Sequence, residues 1–582
     1  MRYNVGMFIE SIANRGSPPA ILLRESYREG KKVRKRTLAN LSKWPANIVA
    51  GFRKLLVDGE SENGVLGEGF DIIRTLPHGH VAAVTGMMCK LGIPALLAHS
   101  PSRNRDLALS MIAARILSPS SKLALSSGLA AKTATDTLSE VLNVTDATED
   151  ELYGAMDWLI ERQDAIERRL AKKHLSEGAT VLYDLSSTWF EGTKCPLAKL
   201  GHSRDGKDGT LQVEFGLLCA GDGTPVAVQV FDGNTSDPAT VADQVKKLKN
   251  NFKLSHVVLV GDRGMLTSSR IREDLKEEEG LDWISALRSD GIRKLIAAEL
   301  IQPSLFDSWA LAEVESPDFP GERLIVCKNP LLAEDRARTR EELLLATEKR
   351  LKEIREATLR RRNPLRGKDN IGLRAGRLIN KYKMAKHFIL TIGENSFSYE
   401  RRFESIKKEA VLDGFYAVRT SLPKDKATPE WTVETYKSLS RVERAFRTFK
   451  LIDLNVRPVH HRLEGRVKAH ILLCMLSYYV EFHMRNVLAP LLFADENIEE
   501  MKVQREMPVK PVERSPSAKS KALEKKNAQG DPVQSFKTLM KNLSTIARNT
   551  IRPCLKGAEC FMKTTEPTSL QKKAFELLGI NL

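Results

Sequence analysis

The sequence predicts an α/β protein: a mixed sheet of three antiparallel strands followed by parallel ones, interrupted by a large insertion and preceded by an α-helical region. Three observations predict it. From Ala179 the apolar residues recur at strand spacing through three consecutive runs. After them helical and strand runs alternate, and one strand, VVLV at 257–260, is apolar on both faces, as a buried parallel strand must be. Before them, from about 71 to 174, the period is helical instead. With 582 residues, 42% of them hydrophobic, and roughly one domain per 150 residues, the chain can bury a sizeable core and should divide into several regions.

Residues 1–60 alternate short apolar pieces with breakers at Arg15-Gly16-Ser17-Pro18-Pro19 and Glu29-Gly30, which predicts a small, basic, strand-rich module. Residues 61–175 carry helical runs such as LALSMIAARIL and ELYGAMDWLIERQDAIERRLAKKHL, separated by Pro94, Pro101 and Pro119; their basic faces suit DNA binding. Residues 176–480 hold the sheet. There TVLYDLSSTWF, TLQVEFGLLCA and VAVQVFDGN spell two antiparallel hairpins, followed by a helix, the strand SHVVLVGDRG, another helix and the strand LDWISALR. Three strands, helix, strand, helix, strand is the ribonuclease-H-like order. Its insertion, about 289–430, contains a long charged helix, a basic patch through Arg366, Lys368, Arg374, Arg377, Lys381 and Lys383, and strand-like pieces. A helix from Thr435 to Lys450 follows. Residues 481–582 begin with a Pro-, Ser- and Lys-rich stretch that predicts a flexible basic linker, and end in a small region of renewed apolar periodicity.

Charge narrows the partners. The 91 Lys and Arg exceed the 74 Asp and Glu by 17, which favours a polyanion, because each neutralised phosphate releases counterions. Nucleic acid leads. The longest mostly apolar run, Ile471 to Val480, is half of the ~20 residues needed to span a bilayer, and Glu10 interrupts what would be the apolar stretch of a signal peptide. Seven scattered Cys, without a CxxC pair, encode neither a disulfide framework nor a structural zinc site. The expected setting is the cytoplasm, without membrane attachment.

Two carboxylates carry the chemistry. Asp184 and Asp262 each follow an apolar strand run, VLYD and VVLVGD, so adjacent strands of one sheet would crowd them, and crowded carboxylates call for an oxygen-preferring divalent cation. Each alone also reads as a turn or cap residue. On the predicted helix, Tyr436, Glu443 and Lys450 recur at intervals of seven and share a face, while Val442, Ala445, Phe446 and Phe449 form an apolar stripe. Glu443 with Arg447, four residues on, also reads as a plain surface pair. Gly201 to Asp208 imitates a phosphate loop, but Asp208 replaces the Ser or Thr that would ligate Mg²⁺ and a strand follows, so a simple loop is expected. His460-His461 diverge too far to act as a metal pair.

The spacing Tyr436, Leu439, Glu443, Lys450 resembles the Y-(2)-R-(3)-E-(6)-K signature of DDE transposases from bacterial insertion sequences, with Leu439 in place of the signature Arg. The segments GHSRDGKDGTLQVEFGLL, FDGNTSD, GDRGM, LDGFYAVRTSL and LNVRPVHHRLEGRVKAHILLCMLSYYV are similar to that family as well. The resemblance implies a catalytic, metal-binding triad of Asp184, Asp262 and Glu443 with two Mg²⁺ ions, Mn²⁺ substituting. It implies metal-dependent cleavage at terminal inverted repeats and strand transfer into target DNA, by at least a homodimer in the synaptic complex. Tyr436 and Lys450 would hold terminal phosphates, and the phosphate that the signature Arg would meet would fall to Arg441, Arg444 or Arg447. Trp309 and Trp431 are candidates for the base-stacking aromatic of the insertion, each also readable as a core or strand tryptophan. The alternatives are a catalytically impaired DNA-binding regulator, for which Leu439 speaks, and a structure-specific nuclease of the same fold.

Overall fold

The protein is described by a computed structural model covering residues 7–14, 17–29, 32–58, 70–301, 306, 310–452, 454–505, 509, 511–553 and 559–582. Strands β1 (Met7–Asn14), β2 (Ser17–Glu29) and β3 (Lys32–Asn40) form an antiparallel meander. Its apolar residues, Ile9 and Leu23 among them, pack with Val49 and Phe52 of the helix Ala46–Asp58. Glu10 binds Arg24 and Lys35 across neighbouring strands, so the alternate residues are spent on ion pairs. The breakers at Arg15-Gly16 and Gly30 lie outside the described residues. After β4 (Phe70–Pro77) the chain is helical from Gly79 to His174, with Ser102, Ser121 and Thr148 side chains capping three of the helices.

A nine-stranded sheet follows. β5 (Ala179–Trp189), β7 (Leu211–Ala220) and β8 (Pro225–Asp232) pair antiparallel, with the two-residue β6 (Lys199–Leu200) beside β7. β9 (Val257–Gly261) runs parallel to β5, and β10 (Leu281–Ala286) parallel to β9. The spatial order β8, β7, β5, β9, β10 is the ribonuclease-H-like fold.

The insertion expected at 289–430 is not one excursion from this sheet. β11 (Leu311–Val314) and β12 (Arg323–Lys328) lie in it. Only the stretch after them leaves: the helices Pro330–Leu359 and Lys368–Tyr382 and the hairpin β13 (Phe388–Ile392) and β14 (Phe397–Arg401) close on their own core of Leu344, Leu351, Ile371, Ile379, Phe388 and Phe397. β15 (Phe415–Thr420) then returns antiparallel between β10 and β12. A polar edge at β10 is thereby covered, which is why residues that read as an insertion finish the sheet.

The helix Glu464–Val487 is buried along most of its length, against the helices Arg103–Leu117 and Glu149–Ile160 on one side and β8 on the other. A helix apolar all round belongs in the middle of a core, and this one fuses the helical region and the sheet into one apolar cluster running from Val81 to Leu578. The stretch after Glu481 departs from the expected flexible linker among its described residues. Ser515 donates to Asp495, and Lys521 is buried against Glu496 and the Ala489 carbonyl. Polar residues there find fixed partners, which composition cannot reveal. The chain ends by pairing β16 (Ala547–Pro553) with β4 and with β17 (Phe561–Thr564). Among the described residues no helix is long and apolar enough to cross a membrane.

Candidate active site

The last registered pair between β5 and β9 is Tyr183 with Gly261, which sets Asp184 and Asp262 side by side one residue further on. Parallel neighbours are separated by roughly 4.8 Å. Asp262 ends its strand, as expected. Asp184 does not: β5 continues to Trp189 because its other neighbour, β7, pairs it through Trp189 with Gln212. Asp184 is thus a mid-strand carboxylate uncovered where the shorter β9 stops.

Burial pushes the Asp184 carboxyl up to about 7; the Leu185 amide and Arg204 oppose the rise, and the negative charges of Asp262 and Glu443 add to it. Three acids from β5, from the end of β9 and from the helix Ser440–Arg447 therefore feel one another. Asp262 accepts hydrogen bonds from the Gly264 amide at 3.1 Å and the Tyr436 hydroxyl at 3.3 Å. Burial, reinforced by the Asp262 charge, raises the Tyr436 phenol well above its usual range, so it remains a donor. Among the described residues no three His, Cys, Asp or Glu side chains converge closely enough to hold one ion. The donor set still suits a hard cation: three carboxylates, one of them raised by burial and by the negative charges of the other two.

The stretch Thr435 to Lys450 is not one helix. A first helix, Pro429–Lys437, ends where Ser438 turns its hydroxyl back on the Thr435 carbonyl at 2.6 Å, and a second runs Ser440–Arg447 before a wider turn at Thr448–Ile452. Serine bonding to its own backbone competes with the helical ladder. Tyr436 and Glu443 therefore sit on different helices. The stripe Val442, Ala445, Phe446 and Phe449 is buried, with Phe446 edge-on to Phe215 of β7 and Phe449 stacked on it, and this contact presses the second helix onto the sheet.

The DNA-binding candidates separate. Lys450 is 8% exposed and bound to Asp205 at 3.0 Å, with Arg457 on the same Asp205 oxygen at 2.8 Å. Arg441 donates to the Gly221 carbonyl and lies 3.4 Å from Glu499. Arg444 and Arg447 are exposed on the helix that carries Glu443. Leu439, at the signature Arg position, is 9% exposed and belongs to the core. Trp431 is 41% exposed at the start of its helix rather than in the core, and Trp309 lies outside the described residues. His460 is near Glu191 while His461 is half-buried beside Tyr153 and His470.

Sequence reasoning read 201–208 as a simple loop and missed its contacts. Its Arg204 donates to the Leu185 carbonyl at 2.7 Å and to Asp237, and its Nε lies 3.8 Å from the buried Glu214. A cation thus stands one residue from Asp184. The signal was in SRD and NTSD, which carry Arg204 and Asp237 but have no spacing that announces their meeting.

The model of the transposase DDE domain matches residues 198–480, which include Asp262, Tyr436, Glu443 and Lys450 but not Asp184. The model of the IS1634 family transposase N-terminal domain matches residues 9–63. No curated protein matches the chain significantly. A cryo-EM structure of the piggyBac transposase synaptic complex with hairpin DNA is 10% identical over 80% of this chain and 76% of that one, at a TM-score of 0.34, a similarity too weak to bear on fold or function. The two matched domains, in this order along a ribonuclease-H-like chain, make the protein a DDE transposase of the bacterial insertion-sequence type.

Proposed function

We propose that this transposase is catalytically active: that Asp184, Asp262 and Glu443 form its metal-binding triad, and that it cleaves the terminal inverted repeats of its own element and joins the freed strands to target DNA. The observation carrying this reading is the pairing of Tyr183 with Gly261, which sets Asp184 beside Asp262, with Glu443 near enough for its charge to act on Asp184. DDE domains depend on divalent metal ions, and Mg²⁺, with Mn²⁺ as substitute, is the ion that oxygen ligands of this kind take. Asp184, Asp262 and Glu443 would hold such ions, which would supply activation of a water or 3′-hydroxyl and stabilisation of the leaving oxygen.

The chain's own groups prepare the site. Tyr436 and the Gly264 amide fix the two oxygens of Asp262. Arg204 holds the Leu185 carbonyl and favours the charged form of Asp184. Arg444 and Arg447, exposed beside Glu443, are the signature-region cations left to meet a phosphate, whereas Lys450 would first have to leave Asp205. Two ends must be cut and joined together, so a homodimer is the working assembly.

The test is Mg²⁺-dependent cleavage of a plasmid carrying the gene with its native flanking DNA, wild type against Glu443→Gln. Cuts at flanking repeats by the wild type alone are expected. Binding without cuts in either metal ion would favour the regulator reading, for which the buried Leu439 speaks.

A further inference from the structure

A cavity of about 490 Å³ opens beside Asp262 at the carboxyl ends of β9 and β10. Its wall is shared with the catalytic carboxylate: Arg263 and Gly264 directly follow Asp262, and Arg288 braces that turn by donating to both of their carbonyls, at 3.4 and 3.3 Å. Leu266, Leu287 and Phe319 lie among the lining residues, and Arg419 stacks on Phe319 with its centre 5.1 Å from the ring.

Charge bookkeeping separates structure from function. Arg419 is buried, with both guanidinium arms on Glu322 at 2.5 and 2.6 Å and a third bond to Ser268, so it is neutralised in place. Asp290 is taken by Arg293 at 2.7 Å. That leaves Arg263, Arg288 and Lys294, all exposed cations, against Asp318 as the remaining acid of the lining. The hydroxyls of Thr267, Ser268 and Ser269 and the first turn of the helix Ser289–Ala297 also line the space. Cations, hydroxyls and a helix start around one cavity suit a phosphate. The crevice outside the carboxyl ends of parallel strands is also where α/β sheets take their ligands.

We infer that this cavity seats a backbone phosphodiester of the DNA strand engaged at Asp184 and Asp262, held by Arg263, Arg288 and Lys294. The inference rests on the transposase reading above and adds the residues that fix the strand beside the reacting phosphate. None of these three cations belongs to the Tyr-Glu-Lys signature; Arg288 ends the run that read as the strand LDWISALR, and Lys294 comes from the start of the expected insertion. Such a seat sets the register of the strand: with one phosphate pinned next to Asp262, the scissile one lies a fixed number of nucleotides away.

The experiment uses the full chain and end DNA taken from the element's own flank, with single neutral methylphosphonates walked along each strand. The wild type should lose about tenfold in affinity at one position within a few nucleotides of the cut, and Arg288→Ala with Lys294→Ala should lose nothing further there. Removing the two cations should also flatten the slope of log K against log salt by about 1, for the one phosphate no longer neutralised. Lys294→Glu, at an exposed position that leaves the Arg288 bracing intact, serves as the second variant, and its melting curve should match the wild type. Equal methylphosphonate losses in wild type and variants overturn the assignment. So does a variant that differs only in losing stabilisation by inorganic phosphate, which would make the cavity a free-phosphate site. Wild-type cleavage is scored separately: cutting without coupling rejects the cavity alone, and position-specific coupling without cutting rejects the activity alone.

Discussion

Removing Lys450 should damage the fold more than it damages DNA binding. The Asp205 side chain is 4% exposed, and a single oxygen, Oδ1, takes both Lys450 and Arg457, while Oδ2 is without a hydrogen-bond partner among the described residues. Burial lowers the Lys450 ammonium, and the Asp205 hydrogen bond pulls it back up. Asp205→Ala strands two cations in a dry place, and breaking a buried pair from one side costs about 3–5 kcal/mol. Lys450→Met leaves Asp205 still bound to Arg457, so only one charged hydrogen bond disappears, about 1.5–3 kcal/mol. Urea unfolding of both single variants and the double variant closes a cycle whose coupling should exceed about 1 kcal/mol. Binding of folded Lys450→Met to end DNA should change less than twofold. A Lys450→Met protein of wild-type stability that no longer binds DNA would refute the reasoning and return Lys450 to the phosphates.

Other positions give sharper yes-or-no outcomes. Arg204→Ala should reduce cleavage at least tenfold with end binding within about threefold, because the cation acts on Asp184 through the Leu185 carbonyl; kcat and KM measured apart would expose an effect on binding instead. Gly79→Ala should cost roughly 1–3 kcal/mol of stability, since its Cβ would come 2.4 Å from the Leu543 carbonyl oxygen; an unchanged urea midpoint would contradict that packing. Lys122 is buried beside Arg115, and burial first, then that charge, brings its ammonium down to about 7. The unfolded chain holds this proton up to about pH 10 and the fold only to about 7. Stability should therefore fall as pH drops through that window, and Lys122→Met should lose the slope and melt higher than wild type at pH 7. Chelation of divalent ions should stop cleavage while leaving end binding in place, as seen in paired cutting and mobility-shift assays.

What could be read in advance was whatever the local period determines. Three strands, a helix and two further strands followed from alternation and run length, and the carboxylates Asp184 and Asp262 from the ends of apolar runs. What escaped depended on partners far along the chain. β15 finishes the sheet only because β10 needs a neighbour, and β16 pairs with β4 across most of the sequence. The break at Ser438 divides a run whose apolar period continues on both sides, so no local signal marked it. The residues after Glu481 look like a linker by composition, yet Lys521 and Ser515 are tied down one by one.

Leu439 bears most on whether the site works. A buried arginine there would need a partner, because an uncompensated buried charge costs several kcal/mol; leucine instead joins the core that seats the Glu443 helix. The positive charge is not missing from the neighbourhood but redistributed: Arg204 stands behind Asp184 on the 201–208 loop, and Arg263 and Arg288 lie beyond Asp262. Leu439→Arg should consequently destabilise the protein without raising cleavage. A gain in cleavage from that substitution, with the urea midpoint unchanged, would mean that the helix end opens readily enough to admit a guanidinium and that the redistributed cations do not serve in its place.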